Sequence, residues 1–320
     1  MKRFFASFCA LFLLLFLLPS LALTSGQAPL LQGQDAGEET YYLVEDAETG
    51  EVMKLSPLTY IKGVVAAEMP LSYHTEALKA QAVAAHSYAL YRISQKLSGG
   101  DGQGEAYLST DPAECQGYLD EEGRREQWGS QFDAYEAKLT EAVSAVIDKV
   151  LVYDGEPVMA MFHAVSGGKT EDAANLFGSP VFYLVPADSA SDELSPSFLE
   201  EKTFTSAQMK ELLDPLLNGA ALSDTPSEWF GAPERSDAGT VLSVAVGGVP
   251  LTGSDVRSAL SLASANFTVT FADGTFTVIT RGRGHGVGMS QYGADFLARQ
   301  GEGYEQILLH YYTGVTLRDI

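Results

Sequence analysis

A glutamate near the start of the folded region has the sequence context of a catalytic acid. Glu68 lies three residues after Val65 and four after Val64, so a helix would place it on the same packed stripe. Burial raises the pKa of a carboxyl group, and a helix C-terminus, fixed here by Pro70, also disfavours the ionised form. A carboxyl group that is protonated near neutral pH suits general acid cleavage of a glycosidic bond. The alternative is a glutamate exposed beyond the end of the stripe.

A polar segment, residues 163–171, follows a predicted strand. Around a Gly-Gly pair it carries four side chains that can orient a polar ligand through hydrogen bonds: His163, Ser166, Thr170 and Glu171. Ser166 with His163 also allows a serine hydrolase, although no Gly-x-Ser-x-Gly elbow is present and their spacing is not diagnostic. The alternative is a polar exit from a strand with no binding role.

A glycine-rich loop, residues 282–288, has glycine at every second position, which leaves the backbone open to close approach. Its spacing does not match the dinucleotide-binding pattern, and no Gly-Lys-Ser/Thr follows it, so a phosphate-binding Walker loop is excluded. The loop predicts a backbone cradle for an uncharged or weakly charged ligand. Three neighbouring side chains would supply its hydrogen bonds: His285, Ser290 and Gln291.

The elements that must position these groups alternate between short strands and helices, which predicts an α+β fold with antiparallel strands. Helices are predicted at 58–68, 75–95, 135–150, from 291 and at 304–311, and hairpins at 41–44/52–55, 151–153/158–162 and 267–271/275–280, with a further strand at 241–246. The helix at 75–95 is rich in alanine, so another element can pack closely against it. Residues 186–238 show little regular pattern and predict an insertion or lid.

The composition limits the possible partners and cofactors. Lys and Arg number 20 against 42 Asp and Glu, a net charge of −22, which argues against nucleic-acid binding. The cysteines are Cys9, inside an apolar run, and Cys115, so a disulfide framework is excluded. The histidines are widely spaced and form no local metal motif. We therefore expect no metal and no cofactor.

The first residues predict export. Lys2 and Arg3 precede an apolar run, residues 4–23, which suits either a membrane anchor, the interpretation we favour, or a signal peptide. Residues 24–40 predict a flexible linker. The folded region should then begin near Tyr41 and lie outside the cytoplasm, on a single-pass protein of the cell membrane or as a secreted one.

Several ordered segments resemble the stage II sporulation protein D family, which also includes amidase enhancers. Residues 60–70, Tyr-Ile-Lys-Gly-Val-Val-Ala-Ala-Glu-Met-Pro, look like the opening of that family's domain. The later segments that agree with it in order are 76–85, 110–118, 163–171, 284–294 and 310–314. The resemblance covers about residues 41–186 and 240–318.

The resemblance implies a membrane-attached lytic transglycosylase that cleaves peptide-free peptidoglycan strands during sporulation. The family's catalytic acid and base is the glutamate before Met-Pro, here Glu68, on a domain at 41–320 with an extended groove. The side chains we assign to glycan binding are Lys62, His163, Ser166, Thr170, Glu171, His285, Ser290, Gln291 and Tyr292. The resemblance also implies two protein partners: a peptide-removing amidase and a membrane scaffold protein. A conventional hydrolase would need a second carboxylate, for which Asp111 and Glu171 are the candidates.

Two departures from the family pattern affect these expectations. His86 stands where the family commonly has arginine, which weakens one expected cation. Some clostridial relatives have a zinc site with two cysteines and two histidines, whereas Cys115 is the single cysteine after the apolar run, so we predict no such zinc.

The negative net charge cannot attract glycans that carry lactyl carboxylates. Binding would then depend on hydrogen bonds, aromatic stacking and local cations: Lys62, Arg92, Lys169, Arg281 and Arg283. The alternative function is a non-catalytic glycan-binding enhancer of a cell-wall amidase. The presence of Glu68 favours the enzyme, because a pure binding protein gains little from a desolvated acid.

Overall fold

The computed structural model describes residues 40–98 and 106–320; the predicted membrane segment, and the linker up to residue 39, lie outside these ranges. None of the described helices is both long and apolar enough to cross a membrane. The described α-helices are α1 (Pro57–Glu68), α2 (Thr75–Ser98), α3 (Glu121–Trp128), α4 (Phe132–Ser144), α5 (Ala173–Phe177), α6 (Ser206–Leu213), α7 (Gly253–Ala259), α8 (Gln291–Arg299) and α9 (Tyr304–Tyr311).

The strands form small sheets, most of them antiparallel. The described strands are β1 (Tyr42–Glu45), β2 (Val52–Leu55), β3 (Leu108–Ser109), β4 (Lys149–Tyr153), β5 (Glu156–Pro157), β6 (Phe162–His163), β7 (Leu199–Thr205), β8 (Glu234–Arg235), β9 (Val241–Val246), β10 (Val249–Thr252), β11 (Phe267–Ala272), β12 (Thr275–Arg281), β13 (Met289–Ser290) and β14 (Thr316–Asp319). The sheet orders are β2-β1-β3, β14-β4-β5, β10-β9-β8, β11-β12-β7 and β13-β6. The predicted α+β class with antiparallel sheets is confirmed.

The larger hydrophobic core surrounds α2. Alanines such as Ala80, Ala84 and Ala85 are fully buried, and α1, α4, α8, α9 and β4 all pack against this helix. Small side chains let these elements approach the helix axis closely. The predicted close packing on the alanine-rich helix is therefore confirmed, and α2 contacts both α1 and α8.

A second core lies between α6, α7 and the sheets that contain β9 and β12. Residues 186–238 contribute to it, although their sequence predicted little regular structure. Strand β7 pairs with the full length of β12, and Met209 and Leu213 of α6 are fully buried. The sequence of β7, Leu-Glu-Glu-Lys-Thr-Phe-Thr, has polar residues on both its half-buried and its exposed face, which hid the strand period from the sequence pattern. The assignment of the segment as an insertion stays a prediction.

Two other elements differ from their predicted bounds. Helix α4 ends at Ser144, six residues before the predicted end, because Val150 belongs to β4. The turn at Asp154 and Gly155 has the positive φ angles of a tight hairpin, 52° and 89°. Its return strand β5 is only two residues long, although the N–H of Val158 still donates to the carbonyl of Leu151 in β4 at 3.2 Å.

Candidate active site

Glu68 is the last residue of α1 and is half-buried. Its Oε1 accepts a hydrogen bond of 2.7 Å from the main-chain N–H of Gly117. Burial raises the pKa of this carboxyl group, and the bond from Gly117 partly opposes that effect. The direction matches the sequence-based expectation for Glu68. The arrangement keeps a carboxyl group with a raised pKa partly exposed at the end of α1.

The loop at residues 115–119 holds Glu68 from one side and packs along α1. The ring of Tyr118 stacks on Tyr60, with centroids 5.9 Å apart. A methyl group at Gly63 would lie 2.1 Å from the Tyr118 ring, so only glycine allows this contact. The N–H of Leu119 also donates to the carbonyl of Gly63 at 3.1 Å. The glycine inside the predicted helix was the sequence signal for this close approach.

Lys62, predicted to bind glycan, lies on α1 in an ion-pair network. Its Nζ is 2.5 Å from Oε1 of Glu136, which also pairs with the buried Arg124 at 2.9 Å. These cations, together with their hydrogen bonds, hold the pKa of Glu136 below its usual value despite partial burial. Lys62 therefore neutralises an internal partner and is not a free cation.

His163 and His285 bring the polar segment and the glycine-rich loop together. Their rings meet edge to face, with centroids 5.7 Å apart. Burial lowers the pKa of His163 to about 3 and that of His285 to about 4, so neither is charged at neutral pH. Nδ1 of His163 donates to the carbonyl of Val287, and Nε2 is buried without a partner among the described residues. His163 supports the loop from inside, whereas His285 is partly exposed.

Ser166 and Ser290 converge on a buried carboxylate that the sequence analysis did not identify. The N–H of Ser166 donates to Oδ2 of Asp192 at 2.6 Å, the nearby hydroxyls of Ser166 and Ser290 act to lower the pKa of this carboxyl group, and its Oδ1 has no partner among the described residues. Asp192 has no exposed surface, and burial raises its pKa. Its sequence context, Ser-Asp-Glu in an irregular segment, gave no signal of burial.

The serine hydrolase alternative is wrong for this arrangement. The hydroxyl of Ser166 accepts a hydrogen bond from Gly168 N–H, while Nδ1 of His163 is bonded to the carbonyl of Val287. No hydrogen bond joins Ser166 to His163 in the described part of the chain. A nucleophile without its base is not activated.

Thr170, Glu171 and Gln291 are buried and bonded within the protein. Thr170 exchanges hydrogen bonds with the backbone of Ala187. Glu171 accepts from Ser236 at 2.6 Å, and Gln291 donates to Gln81 at 3.3 Å. With His163, Ser166 and Ser290, six of the ten predicted site residues are therefore buried. These six shape and support the loops, and glycan binding through their side chains stays a prediction.

The segment after α1 connects Glu68 to the start of α8. Burial and the nearby side chains of Asp295 and Tyr292 raise the pKa of Tyr73 to about 12. Tyr73 lies five residues after Glu68 in the sequence. The N–H of His74, in the same segment, donates to Oδ1 of Asp295 at 2.6 Å, so the residues that follow Glu68 contact α8, the helix that begins after the glycine-rich loop.

Comparison with known proteins agrees with these motifs. The family model described as Stage II sporulation protein matches residues 45–153. The chain is 33% identical to stage II sporulation protein D of Bacillus subtilis (strain 168), over 100% of this chain and 96% of that protein. The chain belongs to the stage II sporulation protein D family. The protein of the same name from Bacillus amyloliquefaciens is 35% identical over 81% of this chain and 73% of its own length.

An amidase enhancer of Bacillus subtilis is also related, at 25% identity over 80% of this chain and 40% of that protein. The stage II sporulation protein D family resemblance predicted from the sequence is thereby confirmed, including its enhancer branch. His86, where the resemblance leads us to expect arginine, is fully buried, and its Nε2 shares a 2.7 Å hydrogen bond with the Tyr42 hydroxyl. Burial lowers its pKa to about 4, so it supplies no cation to a groove.

Proposed function

We propose that this protein is a lytic transglycosylase that cleaves peptide-free peptidoglycan strands between N-acetylmuramic acid and N-acetylglucosamine during engulfment in sporulation. The observation that carries the proposal is the environment of Glu68. It is a half-buried carboxyl group with a raised pKa, fixed at a helix end by one hydrogen bond. Membership of the sporulation family supports the choice of substrate.

One carboxyl group is sufficient for this reaction. Glu68 would donate its proton to the glycosidic oxygen as the bond from C1 to that oxygen breaks. The resulting carboxylate would then accept the proton of the muramoyl 6-hydroxyl while O6 bonds to C1. The products are a free 4-hydroxyl on one fragment and a 1,6-anhydro ring on the other. No water is consumed, and Glu68 ends protonated.

The surroundings of Glu68 favour this chemistry over hydrolysis. Its pKa direction follows from burial and the Gly117 N–H, with no contribution from a second acid among the described residues. A retaining glycosidase has two carboxyl groups roughly 5 Å apart, close enough to affect one another's ionisation. Of the two sequence candidates, Asp111 bonds to its own turn at Ala113 N–H and Glu171 is buried among neutral partners.

The cellular setting is part of the same proposal. The apolar run at residues 4–23 would hold the domain outside the cytoplasm, where peptidoglycan lies. A peptide-removing amidase would prepare the glycan, and a membrane scaffold protein would recruit the enzyme, since the negative net charge does not attract wall polymers. The relative named amidase enhancer supports a link to an amidase.

The test compares the full chain with its Glu68→Gln variant on peptide-free glycan strands. Mass spectrometry detects new 1,6-anhydromuramic ends, which we expect from the parent alone, with the variant folded as judged by its thermal midpoint. Reducing ends instead of anhydro ends would show a hydrolase. Glycan binding without any product from the parent would favour the non-catalytic enhancer.

A further inference from the structure

We propose that a small pocket beside the glycine-rich loop binds the free lactyl carboxylate of a muramoyl residue whose stem peptide has been removed. The pocket lies where the polar segment and the glycine-rich loop meet the second core. Side chains and backbone from all three regions line it, among them Ser166, Lys169, Glu171, Asn266, Arg281 and His285. This inference rests on the proposed function and names a group of the proposed substrate that this pocket would bind.

Two cations line the pocket without an acidic partner. The side chains of Lys169 and Arg281 are exposed, and neither forms an ion pair within the described part of the chain. Their neighbour Arg283, in contrast, is 3.4 Å from Glu200. Acidic residues outnumber basic residues 42 to 20 in this protein. A shortage of acidic side chains therefore does not explain why these two cations are unpaired. They fit an anionic ligand.

The acid that lines the pocket is already committed to other partners. Glu171 accepts hydrogen bonds from the Ser236 hydroxyl at 2.6 Å, from Asn175 at 2.8 Å and from the N–H of Asp172 at 2.9 Å. It is 3% exposed. Its oxygens therefore point into the protein and leave Lys169 and Arg281 free to bind an external carboxylate.

Two further guanidinium groups raise the local positive potential. Burial and the charge of Arg281 lower the pKa of Arg235, and burial and the charge of Arg257 lower the pKa of His285, so Arg235 lies near Arg281 and Arg257 lies near His285, which both line the pocket. Arg235 and Arg257 donate to backbone carbonyls and have no ion-pair partner among the described residues. A local field of this kind can bind a small anion even on a protein of strongly negative net charge.

The lactyl carboxylate is the anion that fits the proposed substrate. In peptide-bearing glycan, that carboxyl group is an amide and carries no charge. Removal of the stem peptide restores a carboxylate on each muramoyl residue. A pocket that requires this charge would therefore select strands on which an amidase has already acted, without any contact to a peptide.

Binding to two matched glycans tests the pocket. One is peptide-free strand with free lactyl carboxylates, and the other is the same strand with those carboxylates converted to methylamides. The full chain carrying Glu68→Gln serves as the parent, so that the strands stay intact. We expect it to bind the carboxylate strand about tenfold or more tightly than the amide strand, as for a charge-assisted hydrogen bond. Higher salt should reduce this preference.

Variants then assign the preference to the pocket. Arg281→Gln and Lys169→Gln should each lower affinity for the carboxylate strand about tenfold and leave the amide strand unaffected. Arg318→Gln, which removes an exposed cation at the C-terminal end of the chain, should change neither. Thermal midpoints check that each variant folds. Equal affinity of the parent for both strands, or an equal loss on both strands in the pocket variants, would overturn the proposal.

The outcome is independent of catalysis. A carboxylate preference that disappears in Arg281→Gln supports the pocket, whether or not the chain with native Glu68 forms anhydro ends. If the chain with native Glu68 forms no anhydro ends, only the transglycosylase proposal is refuted. Anhydro ends formed equally fast from carboxylate and amide strands would refute the pocket and leave the transglycosylase intact.

Discussion

The main-chain N–H of Gly117 donates to Oε1 of Glu68 at 2.7 Å, and a methyl group on Gly117 would lie 3.0 Å from that same oxygen. The bond fixes one carboxyl oxygen as an acceptor. The other oxygen is then the one that carries the proton for the glycosidic oxygen. Gly117 thus orients the acid through its backbone and leaves room for it through the lack of a side chain.

Gly117→Ala should reduce anhydro-end formation more than it reduces stability. The added methyl group is too close to Oε1 and also lies 3.4 Å from Cβ of Ala67, so the carboxyl group must shift by a few tenths of an ångström. We expect a loss of about 10- to 100-fold in kcat, because small displacements of a catalytic group are costly. The thermal midpoint should fall by only a few degrees. Gly231→Ala, whose added methyl group would contact Ala245, is the matched control and should keep full activity.

The pH profile should report the ionisation of Glu68. Because burial raises its pKa, the protonated acid persists to higher pH than an exposed glutamate would allow. The value of kcat/KM should fall tenfold per pH unit once the pH exceeds that raised pKa. Rates on peptide-free strands between pH 4 and pH 9 measure this limb. If the residual activity of Glu68→Gln shows the same limb, another group is the acid.

The contact between Gly63 and Tyr118 should be specific to glycine. Gly63→Ala places a methyl group inside the Tyr118 ring, and such overpacking costs about 1–3 kcal/mol of unfolding free energy. Tyr118→Leu should remove the clash, so the double variant should be more stable than the sum of the single changes predicts. Urea unfolding of the four proteins gives this coupling energy. Additive losses would show that the two residues do not contact one another.

The sequence predicted those elements whose apolar period is regular and long. Helices α1, α2 and α9 and the β11/β12 hairpin lie within a few residues of their predicted bounds. Glu68 was placed at the end of α1 with the correct direction of its pKa shift, because a stripe and a following Pro-containing stop are local signals. Local signals of this kind are sufficient to predict the position of a single residue on a single helix.

Long-range contacts were outside what the sequence could show. The buried bond from Ser166 to Asp192 joins residues 26 positions apart, and Asp192 lies in a segment without periodicity. The polar segment also contained too many hydrogen-bonding groups to tell ligands from internal supports. His163, Ser166 and Ser290 are internal: all three are buried, and His163 and Ser166 bond to groups from distant parts of the chain.

His86 should make the protein sensitive to mild acid. Its pKa is about 4 in the folded protein and 6.5 without burial, so the unfolded chain binds a proton first as pH falls. The stability from the neutral imidazole is therefore present above pH 6.5 and is lost as pH falls toward 4. Between pH 7 and pH 5, this residue should account for about 2 kcal/mol of lost unfolding free energy.

Urea unfolding at both pH values tests this share. The double variant Tyr42→Phe/His86→Leu removes the imidazole and its hydroxyl partner and should lose about 2 kcal/mol less than the parent over the same pH range. Tyr42→Phe alone keeps the buried imidazole and should keep the pH dependence. A double variant as acid-sensitive as the parent would place the effect elsewhere.

Two substitutions of Asp192 should distinguish its role as a hydrogen-bond acceptor from the effect of its charge. Asp192→Ala leaves the Ser166 N–H without its partner and opens a small cavity, so we expect a loss of about 2–4 kcal/mol in unfolding free energy. Asp192→Asn keeps an oxygen for that N–H and should cost about 1 kcal/mol or less at pH 7.

The raised pKa of Asp192 sets the sign of the pH dependence of this stability difference. The folded parent binds the proton more tightly than the unfolded chain does. Its advantage over Asp192→Asn therefore shrinks as pH rises from 3.8 through the folded pKa, and then stays constant. Denaturant unfolding from pH 3.5 to pH 8 measures this difference. An advantage that grows with pH would mean that the buried carboxylate is stabilised as an anion, and its hydrogen-bond donors would then outweigh its burial.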